Sequence, residues 1–304
     1  MEGRVQDRAD VGIVAFMIYP EIGGGSGPLG DIYAYLASLD YFQLLEITRI
    51  EDEAVRSSCK QTLAEAGKSV AFGAHPAILM NKLDLGHADA AERQKAVEVI
   101  KGTIDEAYGW GAAGLAFLSG PDPGASERSR ALGHTVDSVV QLCDHAAAQG
   151  DMPLILEAFD RAPYAKNCLL GPSEEVADFA QQVRRTHPSF GVLVDQAHMT
   201  LLEESTEDCL GVLREFLVHA HVGNCVMSHP EHEAYGDNHP RFGIPEGENG
   251  LDELAEFLAG LASIGYFSGD RKPLSFELKP CSGEAAKEII AESTELLDAA
   301  WTQA

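Results

Sequence analysis

Short apolar and β-branched runs alternate with helix-patterned segments along the whole chain, and this alternation constrains the fold more than any other feature. The runs lie at 11–19, 42–50, 69–75, 113–119, 153–159, 190–195, 216–222 and 274–278. Most of each run is apolar on both alternate faces, as parallel strands covered on both sides require. Between them, Val97, Ile100, Ile104 and Ala107 step by three and four, as do Val136, Val139, Val140 and Cys143. Leu254, Phe257, Leu258 and Leu261 repeat the spacing, and Ile289, Ile290, Leu296, Leu297 and Ala300 carry it through the last helix. Gly150 and Gly265 stand where two of these helices should stop, as left-handed caps.

Eight strand–helix units in 304 residues is the count of a (β/α)8 TIM barrel. No linker, low-complexity stretch or charge block interrupts the alternation, so residues 1–304 read as one α/β domain. A doubly wound sheet would usually carry a Gly-rich fingerprint after its first strand. The stretch GGGSGPLG at 23–30 is Gly-rich but lacks the GxGxxG spacing, and reads as a flexible loop.

In such a barrel the functional groups sit at the C-terminal ends of the strands. The fifth strand ends with Glu157, and the sixth with Asp195, followed three residues later by His198. The seventh ends with His221 and the eighth with Glu277. Four consecutive strands thus each deliver a metal-type ligand at one level. Three carboxylates and one imidazole suit Mn²⁺, Mg²⁺ or Co²⁺, and admit Zn²⁺.

These residues resemble the xylose isomerase-like TIM barrels, a superfamily that includes sugar phosphate isomerases and epimerases, ketose 3-epimerases, hydroxypyruvate isomerases and apurinic endonucleases. Its pattern of Glu, Asp-x-x-His, His and Glu on strands five to eight matches Glu157, Asp195-Gln-Ala-His198, His221 and Glu277. The likeness extends to NKLDLGHADAAERQKAV after the third strand and to GYFSG before the last. It implies a divalent-metal-dependent sugar or sugar phosphate isomerase or epimerase, with Glu157 and Glu277 both ligating the metal and serving as the acid/base pair. Strands five and eight lie three steps apart around the ring, so the two carboxylates reach a central ligand from separate directions. Proton transfer beside a carbonyl would follow.

The resemblance also frames an alternative. The residue matching His198 contacts substrate in the epimerases but holds a further zinc in the endonucleases. Asp237-Asn-His239 matches an Asp-x-His of the endonucleases, and His75 matches one of their zinc ligands. The fourth strand, however, ends in Leu118-Ser119-Gly120 where those enzymes carry another His, so the three-metal set is incomplete. Charge weighs the same way. With 22 Lys plus Arg against 48 Asp plus Glu, the net charge is −26, and nucleic-acid affinity draws mainly on cations. His75 and His198 are therefore assigned to substrate contact, and Asp237 and His239 to substrate contact or loop structure.

Arg241 is the preferred anion contact. Glu46 faces either the pocket or a buried partner. Lys279, two residues past Glu277, joins it on one face if strand alternation continues, there to meet an anion or pair with a carboxylate. His219 reads as a core histidine, and His229 and His232 as solvated loop residues. A non-catalytic sugar-binding barrel would be expected to lose one of the paired glutamates, and both are present.

The acidic surplus disfavours an anionic membrane as well as nucleic acid. Six cysteines without a CxxC pair read as free thiols in a reducing compartment. The N-terminus has no signal-peptide core, and the longest apolar run, 11–19, is too short to span a bilayer. These features imply a cytoplasmic protein with a small-molecule partner. A homo-oligomer is left open.

Overall fold

Strand burial shows why the chain closes on itself. Every residue of Leu44–Ile47, Leu154–Glu157 and Gly191–Asp195 is buried, so neither face of these strands is left to solvent. In the computed structural model, which describes residues 1–161, 164 and 166–304, this produces a closed parallel barrel. Its strands are β1 (Ala9–Val14), β2 (Leu44–Ile47), β3 (Ser69–Gly73) and β4 (Leu115–Phe117), followed by β5 (Leu154–Glu157), β6 (Gly191–Asp195), β7 (Leu217–Val222) and β8 (Lys272–Phe276). β1 pairs with β8 through Val11 and Leu274, and this contact shuts the ring.

Amphipathic helices, among them Ala90–Trp110, Arg128–Ala147, Leu251–Ser263 and Ala286–Gln303, pack their apolar stripes against the outside. Inside, Ala116, Ile155 and Leu193 form a separate apolar cluster. Ile155 and Leu193 stand two residues before Glu157 and Asp195, so strand alternation aims all four inward.

The β6–β7 pairing carries the irregularity that matters for function. Val192 pairs with Leu217, but Leu193 pairs with His219, so one residue of β7 is skipped. The shift sets Asp195 directly opposite His221. An unbroken register would have placed Ala220 there and turned the imidazole away.

Three sequence expectations need correction. The first apolar run does not stay extended: Ala15–Ile18 is a helical turn closed by Tyr19 N–H to Ala15 O, 3.0 Å. An apolar run cannot by itself distinguish strand from buried helix. Gly265 does adopt the left-handed cap, with φ +80°, but Gly150 is not among the left-handed glycines. Its missing side chain instead admits Tyr108, whose ring would lie 3.1 Å from a Cβ there. Finally, β8 ends at Phe276, so strand alternation does not reach Lys279.

All six cysteines are unpaired. Among the described residues, no helix is long and apolar enough to cross a membrane.

Candidate active site

Glu157, Asp195, His221 and Glu277 converge at the C-terminal mouth of the barrel. One ligand atom from each lies within 4.8 Å of the others, and all four residues are buried. His221 Nδ1 is the hub, 2.7 Å from Glu277 Oε2, 3.6 Å from Asp195 Oδ2 and 3.9 Å from Glu157 Oε1. Asp195 also caps the helix Gln196–Leu201, its Oδ1 accepting the Ala197 and His198 backbone N–H groups. That cap fixes the carboxylate and turns Oδ2 toward the cluster.

Two oxygens there, Asp195 Oδ2 and Glu157 Oε1, are buried and make no hydrogen bond among the described residues. Leaving a buried acceptor unsatisfied is costly, and more so when it is charged. A hard divalent cation bound between these oxygens and His221 Nδ1 would satisfy both. The donor set fits such an ion.

Glu46 completes the arrangement from β2. It is 3% exposed, and its Oε1 lies 3.0 Å from His221 Nε2 and 2.8 Å from His219 Nε2. It lines the cavity and is also the buried partner of both rings, so the two alternatives read from sequence coexist. If an ion were bound, Nε2–H would donate to Glu46 and leave the Nδ1 lone pair of His221 free to ligate it. A carboxylate behind a ligating imidazole orients the ring and raises its basicity.

The electrostatics reflect this crowding. Burial pushes the Glu46 carboxyl up, but His219 and His221 outweigh it and hold the group well below its usual range. Burial likewise opposes ionisation of Glu157, while His75, His198 and His221 hold it low. Asp195 goes the other way, because burial exceeds the help from His239 and His198. Burial lowers the His221 imidazole, and Glu46 and Glu277 more than reverse it.

Above the cluster opens a cavity of about 380 Å³, within the range of small-molecule sites. Of the residues singled out from sequence, it is lined by Glu46, His75, Glu157, His221, Asp237, His239 and Glu277. His75 Nε2 lies 2.9 Å from Glu157 Oε2. His198 lies below the surface, 3.3 Å from Glu157 Oε1 and stacked on Phe159 at 4.2 Å between ring centroids. It positions Glu157 rather than lining the cavity.

With His198, two more residues expected at the substrate do not line the cavity. Arg241 turns away to Glu284, with Nε 2.7 Å from Oε1, and does not line the cavity. Lys279 faces a separate surface hollow with Glu233 and Ser282, because the chain has left the strand before reaching it. The cation that does enter the cavity is Lys166, from the loop after β5. Sequence reading passed over it. Its one signal is its place after a strand end on the functional face of a barrel. Apolar residues make the upper wall, including Phe16, Met17, Leu79 and Met80.

A second cluster adjoins the first. Ligand atoms of His198, Asp237 and His239 also lie within 4.8 Å of one another, with His239 Nε2 2.6 Å from Asp237 Oδ1. His219 is a core histidine at 1% exposure, and His229 is exposed.

Fold and site together define an eight-stranded α/β barrel with a carboxylate–imidazole cluster at its C-terminal mouth. The family described as xylose isomerase-like TIM barrel matches residues 36–300, and the chain belongs to that family. Among curated proteins, none matches the chain by sequence. Among solved structures, it is similar to D-psicose 3-epimerase with D-tagatose from Clostridium cellulolyticum H10, at 19% identity and a TM-score of 0.68. That match covers 96% of this chain and 97% of the other. An L-ribulose 3-epimerase aligns at 19% identity and TM-score 0.70, over 97% and 96% of the two chains. A 3-keto-D-glucoside 4-epimerase from E. coli aligns at 15% and 0.66, over 95% and 98%. At these identities the likeness is one of fold.

Proposed function

We propose that the protein is a divalent-metal-dependent isomerase or epimerase of sugars or sugar phosphates, moving a proton next to a carbonyl. The observation that carries this reading is the convergence of Glu157, Asp195, His221 and Glu277 at the cavity floor, two of their buried oxygens making no hydrogen bond among the described residues. The similar epimerase structures support the choice of substrate class.

Glu157, Asp195, His221 and Glu277 would hold the ion, and Mn²⁺, Mg²⁺ or Co²⁺ suits their oxygen-rich set. When bound, it supplies Lewis-acid polarisation of the substrate's carbonyl and neighbouring hydroxyl oxygens. Proton movement falls to the two glutamates, which line the cavity from β5 and from the residue after β8. His75 and His198 hold Glu157 ionised, the state a base needs. Glu277 sits between His221 and His239, with Oε2 2.7 Å from His221 Nδ1 and Oε1 3.8 Å from His239 Nε2. His239 thereby stands between Glu277 and Asp237. A base on one side of the substrate and an acid on the other is the requirement for inversion next to a carbonyl.

The second cluster gives one observation to the alternative, metal-dependent phosphodiester hydrolysis, because it could seat a further ion. Metal analysis separates the two: one ion per chain supports the isomerase, two or three the hydrolase. The primary centre itself is tested by Asp195→Ala and His221→Ala. Each should lose the ion while circular dichroism stays unchanged. Full metal content in both variants would refute the site.

A further inference from the structure

Lys166 is delivered into the cavity by a loop that is tied at its base. The Asp160 carboxylate accepts the backbone N–H groups of Lys166 and Asn167, each at 3.3 Å. Arg161 grips both oxygens of Glu175 at 2.9 and 2.7 Å. The ammonium so placed sits 2.6 Å from Oδ2 of Asp237, whose side chain is 1% exposed. Asp237 Oδ1, the other oxygen, faces His239 Nε2 at 2.6 Å and His198 Nδ1 at 3.8 Å. Asp237 is therefore shared between an ammonium on one side and two imidazoles on the other.

We propose that Lys166 is the resident cation of the His198–Asp237–His239 cluster and excludes a divalent ion from it. The inference rests on reading the neighbouring centre as the metal site. The cluster has the donors for an ion of its own, three buried groups within 4.8 Å. It also already has a cation in hydrogen-bond contact with its one carboxylate. A divalent ion seated there would share Asp237 with that ammonium in a buried region where charge is poorly screened. Ejecting the ammonium would break its hydrogen bond to Asp237.

The substitution of ammonium for metal has a chemical consequence. An ammonium donates hydrogen bonds and neutralises charge but does not bind and activate water as a Lewis acid. With Lys166 in place, this half of the cavity orients a substrate oxygen, and the ion chemistry stays with one centre. Proton transfer needs no more than that, whereas hydrolysis by a metal pair would.

The test is metal stoichiometry by mass spectrometry after loading the full chain with Mn²⁺ or Zn²⁺ and desalting. Wild type should carry one ion, Lys166→Met two, and Lys166→Arg one again, because the arginine restores the charge. Adding His239→Ala to Lys166→Met should remove the gained ion. If Lys166→Met does not fold by circular dichroism, Lys166→Ala takes its place with the same expectation. Two ions in wild type, or no gain in the folded uncharged variants, would overturn the proposal. An ion gained through His239 by a protein that otherwise holds none would uphold the role of Lys166 while refuting the primary centre.

Discussion

Glu46 offers the sharpest single perturbation of the site, because it would act on a bound ion only through His221. Two imidazole nitrogens, at 2.8 and 3.0 Å, converge on its one oxygen. Glu46→Gln keeps the size of the side chain but removes its charge, and one of the amide's two rotamers turns N–H groups toward N–H groups. The ring of His221 then loses the acceptor that fixes its orientation and raises its basicity. Loss of such a partner typically weakens metal affinity about 10- to 100-fold, or about 1.4–2.7 kcal/mol. Glu46→Leu goes further, leaving the buried Nε2 atoms of His219 and His221 without their shared acceptor, and should cost the metal-free protein about 3–5 kcal/mol in stability. Competition against a fluorescent chelator reads the first effect, and urea unfolding of the metal-free protein the second. An unchanged metal dissociation constant in Glu46→Gln would refute the claim that this carboxylate orients a ligand.

Other outcomes follow from the same geometry. Gly25, in the Gly-rich loop, has φ +79° and a Cβ position 2.5 Å from Arg49 O, so Gly25→Ala should destabilise by well over about 1 kcal/mol in urea. Gly265→Ala, with φ +80° but its nearest neighbour at 4.0 Å, bears only the backbone cost and should lose about 1 kcal/mol. The net charge of −26 predicts no salt-sensitive binding to abasic DNA, and fluorescence anisotropy across a salt series would reveal any.

The barrel was legible because apolarity on both faces of eight short runs leaves few folds that could bury them. The site was legible for a related reason: strand ends in a barrel are the one place where sequence order becomes spatial order. That is why Glu157, Asp195, His221 and Glu277 could be grouped before any coordinates. The same logic failed where the strands stop. Lys279 was assigned by an alternation that ends at Phe276, and Arg241 by its charge and its place in the long loop after the seventh strand, although Glu284 is its partner. Lys166 went unnoticed because a lone lysine in a loop carries no periodicity. Its direction is set by Asp160 and Asp237, 6 and 71 positions away. The skipped residue in β7 that brings His221 beside Asp195 was also invisible, since apolar patterning does not encode a register shift.

The central claim is that Glu157 and Glu277 carry protons next to a carbonyl while also holding the ion. It is tested most directly by following C–H exchange into deuterated solvent by NMR. The assay would use a panel of ketoses, aldoses and their phosphates, the Mn²⁺-loaded wild type, and the Glu157→Gln and Glu277→Gln variants with metal content measured alongside. The account predicts exchange at the carbon beside the carbonyl in wild type, and a fall of about 10²–10⁴ in each variant that still binds metal. Near-wild-type exchange in either metal-loaded variant would contradict it, reducing that glutamate to a ligand and moving the proton chemistry elsewhere in the cavity.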